Sequence, residues 1–226
     1  MKRGTKRAPV PQALTAQDRA LLSEGVAALR LGLSKAQEDL LFDYAVLIHK
    51  WNRVFNLTAL VQPVELITHH LLDSLAVLPM LAFELQNKPA PRILDVGAGA
   101  GLPGLVLAIA QPTWQLTLVD TVQKKASFMQ QAIAQLGLTN ARAVHARVES
   151  MTDDQGYDLI TSRAFSSMVQ FIELSSSLIR QDGVYAALKG RLEVDNTVPR
   201  GWRVDALHPI EVPFLNEERH LFMIKR

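Results

Sequence analysis

The chain of 226 residues is long enough for one domain with a sizeable core, and 48% apolar with 20% charged residues is ordinary for a globular protein. It contains no cysteine, which excludes a disulfide framework, a thiolate metal site and a cysteine nucleophile. The formal charge is +2, yet Lys2, Arg3, Lys6 and Arg7 carry four positive charges at one end. The rest of the chain is therefore slightly acidic and is not a generally basic nucleic-acid binder.

Residues 1–14 read as a flexible basic tail, either an arm that contacts phosphate or a solvated terminus. No apolar h-region follows it, and no run approaches ~18 uninterrupted apolar residues, so a cytoplasmic protein without a membrane partner is expected. Thr15 with Asp18 and Ser34 with Gln37 are capping patterns for two helices. The first runs towards Gly32, and the second carries Leu40, Leu41, Tyr44, Leu47, Ile48 and Trp51 at helical spacing. A loop follows at Asn56-Leu57-Thr58. A third helix is predicted from Pro63 through Leu66, Ile67, Leu71, Leu75 and Leu78. The polar stretch Gln86 to Pro91 separates a helical cap, 15–88, from a core, 89–226.

Beyond it, predicted strands at Arg92–Val96, Gln115–Asp120, Ala141–Ala146, Tyr157–Ser162 and Val184–Leu188 alternate with helices at Leu102–Ala110, Lys124–Leu136 and Val169–Ile179. That alternation indicates a parallel sheet covered by helices. Trp202–Val212 and His220–Lys225 break the pattern and read as a terminal antiparallel hairpin.

The strongest local signal is the turn from Asp95 to Gly104. A buried strand enters it, glycines recur at alternate positions and a helix leaves at once, so backbone N–H groups face a ligand. Asp95-x-Gly97-x-Gly99-x-Gly101 is the pattern of S-adenosylmethionine binding, and Gly99-x-Gly101-x-x-Gly104 is a dinucleotide fingerprint. Asp120, 21 residues after Gly99, suits the ribose hydroxyls of either. A carboxylate at Asp95 would repel a diphosphate but attract a sulfonium and an amino group. Little chain remains for a second substrate domain, and the terminal hairpin fits a class I methyltransferase. S-adenosylmethionine is therefore the expected cofactor. The expected fold is α/β and Rossmann-like: a mostly parallel seven-stranded sheet with a C-terminal antiparallel hairpin and an N-terminal helical cap.

The acceptor is narrowed by what is missing. C5 methylation of a pyrimidine needs a cysteine. Methylation of an exocyclic amine commonly uses an Asn/Asp-Pro-Pro-aromatic turn after the fourth strand, where this chain has Ser162-Arg163-Ala164-Phe165. An acceptor with its own lone pair and no proton to lose, such as guanine N7, needs only placement. The residues permit guanine N7 without requiring it. A small-molecule methyltransferase, an NAD(P)-dependent oxidoreductase and a non-catalytic ribosome-assembly factor are the competing readings.

Further motifs are Trp51-Asn52-x-x-x-Asn56-Leu57-Thr58, His70-x-x-Asp73-Ser74, Arg147-Val148-Glu149, Leu188-Lys189-Gly190 and Arg219-His220-Leu221. With the glycine turn and Ser162-Arg163-Ala164-Phe165, the chain resembles the bacterial 16S ribosomal RNA guanine-N7 methyltransferases, also called glucose-inhibited division protein B. The resemblance covers nearly all the chain after the basic tail. It implies methylation of N7 of a guanine in the 530 loop of 16S ribosomal RNA, with free RNA or the small ribosomal subunit as partner. By position, the family's cofactor contacts fall on Gly97, Leu102, Val148, Glu149 and Arg163.

Each site residue has a functional and a structural reading. Val148 and Glu149 fit an adenine contact or a helix N-terminus. Arg163 fits a contact with cofactor, guanine or phosphate, or a salt bridge to Asp95 or another acid. It is expected to organise the site, with no side chain acting as general base. Lys189 and Arg219, with His220, are candidates for RNA, or are solvated cations. Asn52, Asn56 and Thr58 line a target-base pocket or cap their loop. His70 and Asp73 are a buried pair on one helical face or a substrate contact. His69 and His70 are expected on different faces, so no metal site is expected. The protein is expected to act as a monomer.

Overall fold

The computed structural model describes residues 13–163, 165, 167–192 and 197–226. The four cations of the basic tail, and Ala164, lie outside these. Both capping signals form. Helix α1 (Ala16–Ala28) starts with the Thr15 N–H donating to Asp18 at 2.7 Å, and α2 (Lys35–Phe55) with the Ser34 N–H donating to Gln37 at 2.9 Å. Helix α2 ends at Asn56 in the left-handed region, φ 49°.

The third predicted helix is interrupted. It consists of α3 (Pro63–Glu65), a π-helical stretch (Leu66–Leu72), α4 (Asp73–Ala76) and α5 (Leu78–Glu84). The Thr68 hydroxyl donates to the Val64 carbonyl at 2.9 Å, a local bond that competes with the regular helical ladder. Together 63–84 is long and apolar enough to cross a bilayer, but most of it is buried in the fold.

The sheet contains β1 (Arg92–Val96), β2 (Gln115–Asp120), β3 (Ala141–His145), β4 (Tyr157–Ser162), β5 (Ile179–Lys189), β6 (Arg203–Pro209) and β7 (His220–Lys225), in the order β3-β2-β1-β4-β5-β7-β6. The first five are parallel; β7 is antiparallel to both its neighbours. This is the expected class I sheet. Strand β5 begins at Ile179, not at Val184. Its polar first half pairs Ile179 with Tyr157 across an irregularity between Tyr157 and Leu159. The preceding helix, α8 (Met168–Ser175), is correspondingly shorter than predicted.

One face of the sheet carries α6 (Gly104–Ala110), α7 (Gln123–Leu136) and the cap helices; the other carries α8. The boundary near residue 88 separates α5 from β1, but the hydrophobic cluster runs across it, joining Leu22, Ile48 and Leu71 to Leu105, Leu118, Leu221 and Met223. Helix α1 sits so close to the π-helical stretch that a Cβ on Gly25 would stand 2.3 Å from Leu72.

Candidate functional site

Between β1 and β4 the strand order reverses direction, which opens a crevice at the carboxyl ends of the parallel strands. The glycine turn fills one side of it. Gly97, Gly99 and Gly101 have φ of 69°, 61° and 87°, conformations that L side chains rarely adopt. The turn is held from three sides. Gly97 and Ala98 N–H groups donate to the Val119 carbonyl, and the Gly99 N–H donates to Asp120 at 2.9 Å. The buried Tyr44 hydroxyl, from α2, donates to the Ala100 carbonyl. Tyr44 read only as part of an apolar helix face. A tyrosine in a buried stripe needs a partner for its hydroxyl, and that was the available signal.

Asp95 lies one residue before the end of β1. It is fully buried beneath the turn, with one oxygen accepting from the Gly104 N–H at 2.8 Å and the other, Oδ1, without a partner. Burial pushes its carboxyl up to about 7, against the opposing effects of the Gly104 N–H and Arg163. Gly104 makes this seat: a Cβ there would lie 2.8 Å from the Asp95 carboxylate and 2.7 Å from Leu118. Leu102 is buried just before α6.

A cavity of about 340 Å³ lies over the ends of β1, β2 and β3. Gly97, Asp120, Val148 and Glu149 line it, together with Val122 and Phe165. Asp120 accepts the Gly99 N–H on one oxygen and the Val122 N–H, at 2.8 Å, on the other. Val148 is buried at the start of a single 3₁₀ turn, and Glu149 pairs with Arg147 at 2.7 Å on the rim.

A second cavity, of about 330 Å³, lies between the π-helical stretch, the end of β4 and the β5–β7 edge. His70, Arg163, Lys189 and Arg219 line it, with His69 and Asp73. Register explains the arrival of Arg219: Lys189 pairs with His220, which sets the residue before β7 beside the end of β5. Arg163 is bonded not to Asp95 but to Asp73, at 3.1 Å, and to the His69 carbonyl, at 3.0 Å. Asp73 holds Arg219 through its other oxygen, also at 3.1 Å. His70 and Asp73 are therefore not a pair. The His70 Nε2 meets the Thr58 hydroxyl at 2.9 Å. Burial, with Arg163 beside it, pushes the His70 imidazole down to about 3, so it is neutral. His69 and His70, expected on different faces, both line this cavity.

Asn52 and Asn56 take the capping geometry. The Asn52 amide is engaged on both sides by the Thr58 backbone, at 2.9 and 2.8 Å, and Asn56 ends α2 as an exposed residue. Thr58 acts on the cavity through His70. Among the described residues, no group of three His, Cys, Asp or Glu side chains is arranged to hold a metal ion.

A family model described as rRNA small subunit methyltransferase G matches residues 37–222. The protein named ribosomal RNA small subunit methyltransferase G from Azoarcus sp. (strain BH72) is 47% identical over 207 residues, covering 91% of this chain and 95% of that one. Its namesake from Cupriavidus necator is 45% identical over 223 residues, 93% and 96% of the two chains. Among solved structures, TrmN from Thermus thermophilus superposes with a TM-score of 0.51 at 18% identity, over 67% of this chain and 48% of that one. A SAM-dependent methyltransferase from Aquifex aeolicus gives 0.50 at 16% identity, over 66% and 89%. At such identities the structural likeness establishes the class I methyltransferase fold and nothing finer.

Proposed function

The chain belongs to the family of rRNA small subunit methyltransferase G, and from that premise we propose that it transfers a methyl group from S-adenosylmethionine to N7 of a guanine in the 530 loop of 16S ribosomal RNA. The observation that carries the reading is the placement of two cavities along one sheet edge. One lies over the glycine turn and Asp120; the other is walled by His69, His70, Arg163, Lys189 and Arg219 around Asp73.

The residues fit the cofactor. The buried Oδ1 of Asp95 lacks a partner, and a Cβ on Gly99 would meet nothing nearer than 3.9 Å, so the turn leaves room above it. When bound, S-adenosylmethionine supplies an electrophilic methyl group on a sulfonium. Asp120 accepts from the ribose hydroxyls with the lone-pair capacity its two backbone bonds leave. Val148 and Glu149 border the adenine, and the backbone from Gly97 through Gly101 to Leu102 bounds the remainder. Asp95 contributes the negative charge that a cationic ligand favours.

The second cavity takes the guanine. N7 offers an in-plane lone pair and no proton, so no side chain removes one. Arg163 stays protonated and cannot act as a base, and His70 is held by Thr58. The work of these residues is placement. Guanine grows more positive as N7 is alkylated, so Arg163 serves O6 or a neighbouring phosphate rather than the ring at N7. Lys189 and Arg219 reach the RNA backbone. The substrate is 16S ribosomal RNA or the small subunit, in the cytoplasm, where the relatives' named substrate is found.

The reading is tested by incubating the protein with labelled S-adenosylmethionine and 16S RNA, free and in small subunits, and identifying the nucleoside. Label in 7-methylguanosine is expected. Label on another atom overturns the acceptor, and binding of NAD(P) without S-adenosylmethionine overturns the cofactor.

A further inference from the structure

Asp73 is a buried carboxylate, 6% exposed, at the first residue of α4. Its two oxygens hold two different arginines. Arg163 arrives from the end of β4, 90 residues away, and Arg219 from the start of β7, 146 residues away. Each guanidinium keeps further contacts that fix its plane. Arg163 donates to the His69 carbonyl, and Arg219 donates to Glu217 at 3.0 Å. Both arginine side chains keep part of their surface open, 27% and 20%. Two guanidinium groups brought to one cavity wall repel each other, and two carboxylates offset that cost: Asp73, shared by both, and the more exposed Glu217 on Arg219. The outcome is two guanidinium groups with N–H donors in fixed planes, a geometry that can grip a phosphate in bidentate fashion.

Building on the RNA reading above, we infer that Asp73 is a positioning residue, which holds Arg163 and Arg219 together as one receptor for a backbone phosphate beside the target guanine. Asp73 itself touches neither the methyl group nor N7. Its replacement therefore disturbs RNA engagement and leaves the cofactor cavity as it is, since Asp73 does not line that cavity.

The sign of the effect separates this role from charge alone. Removing an acid from a site that receives RNA tightens binding if only net charge matters. Removing a positioning acid loosens it, because the two arginines part. The variants are Asp73→Asn, which keeps the shape, and Asp73→Ala, which makes room for a small carboxylate. For Asp73→Asn, kcat/KM for RNA is expected to fall about tenfold or more, carried by KM, with S-adenosylmethionine affinity unchanged. The slope of log KM against log salt is expected to shrink by about 0.7, the share of one phosphate on a single strand. For Asp73→Ala, acetate is expected to restore part of the activity where equal chloride does not; should that variant fail to fold, Asp73→Asn alone decides. Tighter RNA binding, an unchanged salt slope, or a loss of cofactor affinity in step with activity overturns the inference. An unaltered protein that leaves guanine N7 unmethylated removes the functional reading as well, whereas a methylating protein indifferent to Asp73→Asn removes only this inference.

Discussion

The cavity over the glycine turn is lined mainly by segments that follow one another along the chain, at the ends of β1, β2 and β3, with Phe165 and Leu174 added from beyond β4. The cavity beside it is walled by the π-helical stretch, the end of β4 and the β5–β7 edge, which meet only when the whole sheet has closed. The first is a device of backbone: positive-φ glycines, and carboxylates that receive N–H groups 2, 9 and 21 residues away. The second is a device of long-range charge, in which one buried acid fixes two distant arginines. Local geometry recurs across a fold class, while the long-range assembly is where an acceptor is chosen. The two should therefore fail differently when altered.

The largest difference is expected at Arg163. Arg163→Ala should lower methyl transfer by about 10²-fold, the scale of a charge-assisted hydrogen bond, while S-adenosylmethionine binding, read by calorimetry, changes far less. A parallel collapse of cofactor affinity would merge the two cavities into one functional unit.

Next come two glycines of the same turn. A Cβ on Gly101 would sit 2.7 Å from Leu105 and 2.9 Å from the Tyr44 hydroxyl, whereas one on Gly99 enters open space. Gly101→Ala should therefore cost about 3 kcal/mol of stability, from left-handed strain plus overpacking. Gly99→Ala should cost only the strain, about 1–2 kcal/mol, yet weaken S-adenosylmethionine binding. Denaturant midpoints and calorimetry on both variants check this, and equal stabilities would show that Tyr44 yields.

The last effect is one of pH. Burial holds the Asp95 carboxyl up to about 7. The folded protein thus binds a proton there that the unfolded chain, with an ordinary carboxyl, has released. Stability from this group is present at low pH and declines as pH rises towards 7. A cationic cofactor favours the ionised form, so binding runs the other way. Affinity should be constant above pH 7 and fall, by at most about tenfold per unit, below it. Asp95→Asn should abolish the dependence. With both substrates saturating, transfer should stay flat from about pH 6.5 to 8.5, because no base is titrating.

The same division explains what could be read from the sequence. Thr15 with Asp18, Ser34 with Gln37, and the alternating glycines act within a few residues, and their elements form as read. The start of β5 was hidden, because Arg180, Gln181, Asp182 and Gly183 imitate a turn, and only pairing with β4 makes them strand. Asp73 stood in a recognisable motif, but its partners lie 90 and 146 residues away, and spacing along a helix pointed instead to His70. Asp95 was placed correctly in the turn, but not under it. Its burial depends on α6 folding back so that the Gly104 N–H reaches it.

The stretch 63–84 bears on how the chain is made. It has the length and apolarity of a bilayer span, and it leaves the ribosome well before the strands that help enclose it. Leu221 and Met223 share its hydrophobic cluster, and Lys225 of β7 pairs with Glu84 of α5 at 2.9 Å. A chain without β7 would leave part of this apolar segment uncovered. A nascent chain stalled before residue 220 would present to chaperones or to lipid the same stretch that, in the finished protein, helps to wall the second cavity.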